Sequence, residues 1–192
     1  MIEVFNIQKG LFYGILDLKN LSSQDQITNK RALEQKGRDT LLRHLLGDKA
    51  IISYDEKGKP YLLDDSRHIS ISHSHDKLAL VVNETESTGI DIELIRDKIL
   101  NIKHKFLSES ELTDTNNDPE KMLVYWAAKE TMYKVYGLKE VDFIKNLFVN
   151  PFSKSNLGTI IGEISMPNYN HKFSLLYKIE NAYVLVVSIK KM

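Results

Sequence analysis

The chain has 192 residues, 26 Lys+Arg against 26 Asp+Glu, no cysteine and 42% apolar residues. That length makes one ordinary domain or two small, tightly joined halves, and the apolar and charged fractions exclude a disordered or collagen-like chain. A formal net charge of zero argues against a bulk polyanion binder such as a nucleic-acid coat. Without Cys there are no disulfides, thiolate nucleophiles or Cys-based metal sites. The longest aliphatic run, Leu78 to Val82, is far short of the roughly 20 residues of a membrane helix. Glu3 and an alternating start replace the basic-then-apolar pattern of a leader, so the expectation is a soluble cytoplasmic protein.

In chain order, Met1–Leu18 alternates around Lys9-Gly10 and predicts a hairpin. Asp25–Leu46 predicts a helix, with Ser22, Ser23 and Asp25 as N-cap oxygens, five leucines at mostly helical spacing and Gly47 as the stop. Gly37 inside it costs about 1 kcal/mol relative to Ala. Strand-like segments follow at Ala50–Tyr54, His68–Ser74, Leu78–Asn83 and Gly89–Ile95, with a Gly-Pro turn over Asp55–Pro60. Asp97–Leu107 predicts a helix, Ser108 and Glu111 a capping box, Thr113–Asp118 a loop, and Pro119–Tyr136 a second helix ended by Gly137. Four strands close the chain at Phe143–Val149, Gly158–Ile164, Phe173–Ile179 and Tyr183–Ile189. The order is α+β, and each half couples helix to several strands. The expectation is two similar halves related by a pseudo-twofold, each a small antiparallel sheet packed with helix. They would cover 1–95 (coenzyme phosphate contacts and metal strand) and 96–192 (catalytic helix and C-terminal sheet).

Within Gly89-Ile90-Asp91-Ile92-Glu93, strand alternation sends Asp91 and Glu93 to one face, about 7 Å apart, and the isoleucines to the core. Paired carboxylates repel unless a cation or proton lies between them, and Mg²⁺ uses one or two carboxylates plus water and phosphate oxygens. The plainer alternative is a polar outer face of a half-exposed strand. On the predicted helix Trp126, Glu130 and Lys134 lie four apart on one stripe. An ordinary surface Glu–Lys pair explains two of them, but a Trp beside them marks the edge of a groove. Ser72-His73-Ser74-His75 suits a phosphate-binding surface, a two-His metal site or simple surface polarity. Gly58-Lys59-Pro60 fixes one ammonium on a turn, and Lys30-Arg31 with Lys36 and Arg38 reads as a basic helix face.

Together, Gly-Lys-Pro, Ile-Ser-His-Ser, Gly-Ile-Asp-Ile-Glu and Trp-x-x-Lys-Glu-x-x-x-Lys, in that order, resemble the 4′-phosphopantetheinyl transferases, in particular their larger pseudo-dimeric type. The resemblance spans about Lys30–Gly137. Ile69-Ser70 stand where the family usually has Phe-Asn, and Thr131 replaces a smaller residue. The resemblance implies transfer of 4′-phosphopantetheine from coenzyme A to a serine of an apo acyl or peptidyl carrier protein. Adenosine 3′,5′-bisphosphate would be released, and the enzyme would be a monomer. It implies Mg²⁺ at Asp91, Glu93 and Glu130, with Glu130 as base, directly or through water, and Lys134 on the pyrophosphate. Ser72, His73, Lys59 and Pro60 match coenzyme-contacting positions. Lys30 and Arg31 resemble the pair that meets the 3′-phosphate, and Arg38 is nearest to a first-helix arginine. An acidic carrier protein would meet Lys98, Lys103, His104 and Lys105, unless these are only a solvated helix face. Two other readings compete: a Mg²⁺-dependent phosphodiester hydrolase, which leaves Gly-Lys-Pro and Ser-His-Ser without a role, and a binding-only relative, which the intact acidic set opposes.

Overall fold

The computed structural model describes residues 1–25, 29–180 and 182–192. Strands β1 (Ile2–Gln8) and β2 (Leu11–Asp17) form the expected hairpin, followed by helices α1 (Leu18–Asp25) and α2 (Lys30–Leu46). Next come β3 (Ile52–Tyr54), β4 (Pro60–Leu62), β5 (His68–Ser74), β6 (Lys77–Asn83) and β7 (Ile90–Leu94). Helices α3 (Lys98–Ile102), α4 (Glu109–Thr115) and α5 (Pro119–Tyr136) precede β8 (Leu147–Val149), β9 (Leu157–Met166), β10 (Tyr169–Glu180) and β11 (Tyr183–Lys191).

Among the described residues β1-β2-β6-β5 make one antiparallel sheet, β7-β11-β10-β9-β8 a second, and β3-β4 a small ribbon. The fold is α+β. Leu16, Leu78, Leu80 and Val82 turn towards α2, where they meet Leu41 and Leu42. Their strand neighbours Leu11, Tyr13, Ala79 and Val81 turn the other way and pack on Ile90, Ile92, Leu185 and Val187 of the second sheet. The uninterrupted apolar run Leu78–Val82 is thus a strand covered on both faces, and each of its leucines and valines contributes about 1.5–3 kcal/mol of burial. On the far side Val184 and Val186 face α5 through Ala128, Met132 and Val135.

Several local expectations need correction. The helix foreseen over Asp25–Leu46 begins at Lys30, because Asn29 caps it, its side chain accepting from the amides of Arg31 (2.9 Å) and Ala32 (3.2 Å). Residues 26–28, and the side chains of Ser22, Ser23 and Asp25 proposed as caps, lie outside the described residues. Gly37 earns its place in α2: a Cβ there would stand 2.3 Å from Leu18 Cδ2. Asp97–Leu107 is only a short α3 followed by a 3-10 turn over Lys103–Lys105. The Ser108/Glu111 capping box forms and carries α4 into the supposed loop as far as Thr115. Strand β8 starts at Leu147, because the Asp142 carboxylate takes the amides of Ile144 (2.9 Å) and Lys145 (3.0 Å) into a turn. The ribbon strand β4 was not foreseen, while α5 has the expected ends, Pro119 and Gly137.

A boundary at residue 95 would leave Ile90–Leu94 with the first half. Its backbone instead pairs with β11, from Val187↔Ile90 to Tyr183↔Leu94. The second sheet therefore reaches across that boundary. Contact with the first sheet is made by side chains: the Ser70 hydroxyl accepts from Ile90 N (3.2 Å) and that of Ser74 from Leu94 N (3.2 Å), so β5 and β7 run side by side in the same direction.

Candidate active site

Strand β7 lies against α5 because Gly89 has no side chain. A Cβ there would meet the Thr131 carbonyl oxygen at 2.2 Å. With Ile90 and Ile92 committed to the core between the sheets, alternation aims Asp91 and Glu93 at the helix. Helix α5 is buried on most sides, and Trp126, Glu130, Tyr133 and Lys134 belong to its partly open stripe. That stripe is what the carboxylates meet.

Asp91 is 3% exposed. Its Oδ1 accepts from Ser72 Oγ (2.7 Å) and Lys134 Nζ (2.7 Å), and Lys134 Nζ also donates to Ile90 O (2.9 Å). Its Oδ2 is buried with no partner. Glu93 accepts at Oε2 from Ser74 Oγ (2.8 Å) and at Oε1 from Trp126 Nε1 (3.1 Å). The Trp126 ring is stacked on Phe143 and edge-on to Phe106. Burial raises the Asp91 carboxyl above the usual carboxylate range, with Lys134 opposing and Glu93 adding to the rise. Glu130 is pushed up to about 7, chiefly by burial and then by the charge of Asp91. The surface pair Glu130–Lys134 is not what forms; Lys134 pairs with Asp91.

Among the described residues no three His, Asp or Glu side chains make a ready-made metal cage. The expected set Asp91, Glu93 and Glu130 is gathered on one face but not closed around a point. The residues nonetheless fit a hard divalent cation: the donors are carboxylate oxygens, and a buried, unpartnered Asp91 Oδ2 needs a positive neighbour. Such an ion takes one or two protein carboxylates and completes its shell with water and phosphate oxygens.

Lys134 also lines a cleft of about 200 Å³ with Lys59, Pro60, Ile69, Ser70, Ile71 and Tyr133. This brings the Gly-Lys-Pro turn to the site. Lys59 itself is held inward, donating from Nζ to Ser87 Oγ (2.9 Å) and to Val135 O (2.9 Å) at the end of α5, and burial lowers its pKa. His73 is half exposed on the opposite side of β5 from Ser72, and Glu34 joins it to Lys30: His73 Nδ1 is 3.5 Å and Lys30 Nζ 3.7 Å from Glu34 Oε1. Arg31 lies exposed beside Lys30. Arg38 is not brought in; it is engaged by Asp39 (3.0 Å) and Tyr54 OH (2.8 Å) and lines a different cleft with Arg43 and Asp48. Nor do His73 and His75 form a strand pair, because β5 ends at Ser74 and His75 is left-handed (φ 56°). The sequence reading missed Glu34, Ser74 as a partner of Glu93, and Lys129. Three serines at alternate positions of β5 were the available signal for the second, since small hydroxyls on a buried strand face must bond to something.

An α+β frame that sets two strand carboxylates against a glutamate and a lysine of one helix, beside a cleft edged with lysines, suits an enzyme acting on a phosphate-bearing substrate. The chain belongs to the 4′-phosphopantetheinyl transferase superfamily, whose family model matches residues 87–187, the span from the approach to β7 through β11. It is 26% identical over 167 residues to the 4′-phosphopantetheinyl transferase psf-1 of Bacillus pumilus, covering 80% of this chain and 69% of that protein. It is 29% identical over 105 residues to the 4′-phosphopantetheinyl transferase AcpT of Escherichia coli O157:H7, covering 50% of this chain and 54% of that one. Among the described residues no helix is long and apolar enough to cross a membrane.

Proposed function

We propose that this protein transfers 4′-phosphopantetheine from coenzyme A to a serine of an apo acyl or peptidyl carrier protein. It would work as a cytoplasmic monomer, with the coenzyme between the two halves. The observation that carries the reading is the convergence of Asp91, Glu93, Glu130 and Lys134 where β7 meets α5, with Asp91 Oδ2 left unpartnered. Asp91, Glu93 and Glu130 would hold Mg²⁺. When bound, the ion supplies Lewis-acid neutralisation of charge on the pyrophosphate. Lys134 has donors aimed at Asp91 and Ile90 O and lines the Lys59 cleft, so its ammonium would contact the pyrophosphate. Glu130 accepts the serine proton as that oxygen bonds to the pantetheine-bearing phosphorus, and the bond from phosphorus to the bridging oxygen breaks to release adenosine 3′,5′-bisphosphate. Lys59 and Pro60 shape the wall of the coenzyme cleft, Ser72 fixes Asp91, Lys30 and Arg31 offer positive charge to the 3′-phosphate, and His73 would contact a coenzyme phosphate.

The carrier protein would approach from the other end of the same stripe. Trp126 and Glu93 line a second cleft with Arg96 and Lys98, and Trp126 lies about 12 Å from Lys134 along α5. The carboxylates therefore stand between two openings, one edged by Lys59 and the other by Lys98. Lys103, His104 and Lys105 continue the basic edge, Lys103 donating to Asn117 Oδ1 at 2.6 Å. Intact-mass spectrometry of an apo carrier protein with this enzyme, coenzyme A and Mg²⁺ tests the reading. The expected result is a gain of one phosphopantetheine, lost with Glu130→Ala. Absence of gain with several carriers, despite Mg²⁺-dependent coenzyme A binding, would leave a binding-only relative. Cleavage of a phosphodiester substrate without a carrier would favour the hydrolase.

A further inference from the structure

The two strand carboxylates are held differently. Asp91 keeps one oxygen bare, whereas both oxygens of Glu93 are engaged, one by a serine of the first sheet and one by an indole of α5. Ser74 is 6% exposed, and its hydroxyl accepts from Leu94 N while donating to Glu93 Oε2, so the hydroxyl hydrogen has one direction available. The Trp126 N–H has no rotational freedom once the ring is packed between Phe106 and Phe143. A carboxylate restrained by one donor on each oxygen cannot rotate about its terminal torsion without breaking a bond, and each oxygen keeps a lone pair for a cation.

We propose that Ser74 and Trp126 are positioning residues that fix the plane of the Glu93 carboxylate for the divalent cation. This rests on the reading of Glu93 as a metal ligand. It gives the Trp of the helix motif a polar task in addition to packing, and it makes the strand and helix motifs one unit: a shift of α5 along β7 would misalign Glu93 through Trp126 while Lys134 misaligned Asp91.

The test is Mn²⁺ binding, followed by paramagnetic resonance with coenzyme A present, for the parent, Ser74→Ala, Ser74→Thr, Trp126→Phe and Asp91→Asn. Each variant is measured below its own melting temperature. Ser74→Ala and Trp126→Phe are expected to weaken Mn²⁺ binding about tenfold, while Ser74→Thr, which keeps the hydroxyl, stays within about twofold of the parent. Trp126 is the only Trp in the chain, so its emission reads the same event. Saturating Mg²⁺ with coenzyme A should shift the emission in the parent and Ser74→Thr and leave it unchanged in Asp91→Asn. Should Ser74→Ala and Trp126→Phe bind as tightly as the parent while Asp91→Asn has lost the ion, the positioning role is wrong and the metal reading stands. Equal binding by Asp91→Asn and the parent would overturn the metal reading and this inference with it.

Discussion

Two of the lysine–carboxylate pairs on helix α5 are built to opposite ends. Lys129 is fully buried, and its ammonium spends all three protons: on Glu111 Oε2 (2.7 Å), Phe106 O (2.7 Å) and Phe143 O (2.8 Å). Glu111 is equally complete, accepting also from the amides of Ser108 (2.8 Å) and Val149 (3.0 Å). The pair ties α5 to α4, β8 and two loops, with nothing left over. Five positions on, Lys134 and Asp91 form a pair of the same length, 2.7 Å, that is incomplete. Lys134 has two acceptors for three protons, and Asp91 Oδ2 has none. Saturated, such a pair is a strut; unsaturated, beside a cleft, it has capacity for a substrate and an ion.

The sharpest contrast lies in rate. Glu130→Gln, next to the incomplete pair, should lower transfer about 10²- to 10⁴-fold in a mass time course, with no loss of melting temperature. Replacing the strut lysine, Lys129→Met, leaves Glu111 buried without its counter-charge and should cost about 3–5 kcal/mol in chemical denaturation. Lys134→Met should cost only about 1–2 kcal/mol, because Asp91 can take up a proton, yet abolish transfer. Equal stability losses for the two lysines would break the comparison.

A smaller effect follows from Glu130 in metal-free protein with chelator present. Its folded pKa of about 7 lies above its ordinary 4.5, so the folded state holds a proton the unfolded chain has lost between those values. The group's contribution is therefore greatest below pH 4.5 and falls as pH rises to 7, by at most about 3 kcal/mol. Glu130→Gln should flatten that part of the stability profile. Gly89→Ala is expected to cost about 1–3 kcal/mol by forcing β7 off the Thr131 carbonyl. Transfer should fall with it, because the same movement separates Asp91 from Lys134.

Where the sequence spoke locally, it was legible. Pro119, Gly137 and the Ser108/Glu111 box mark their helix ends by chemistry that needs only neighbours, and the alternation in Ile90–Glu93 put the carboxylates on one face. What stayed hidden depends on distant partners. Helix α5 is apolar nearly all round, so periodicity could not show that Lys129 is interior. The pairing of β7 with β11, about ninety residues later, has no local signal. Arg38 was placed by order along a helix, but Asp39 and Tyr54 decide where its guanidinium goes. Asp142 ended a run that looked like strand from Phe143, because its side chain competes for the amides a ladder would use.

The serine contacts between β5 and β7 have a consequence for solubility. Both strands are at the margin of their own sheet, and an exposed margin is a template on which other chains can polymerise. Here each margin lies against the other, bonded through hydroxyls too irregular to continue as a ladder. Among the described residues the other margins of these two sheets are β8, only three residues long, and β1, whose ladder is interrupted between Asn6 and Gln8. The arrangement that assembles the acidic cluster thus also shelters the backbone groups most able to recruit a foreign strand.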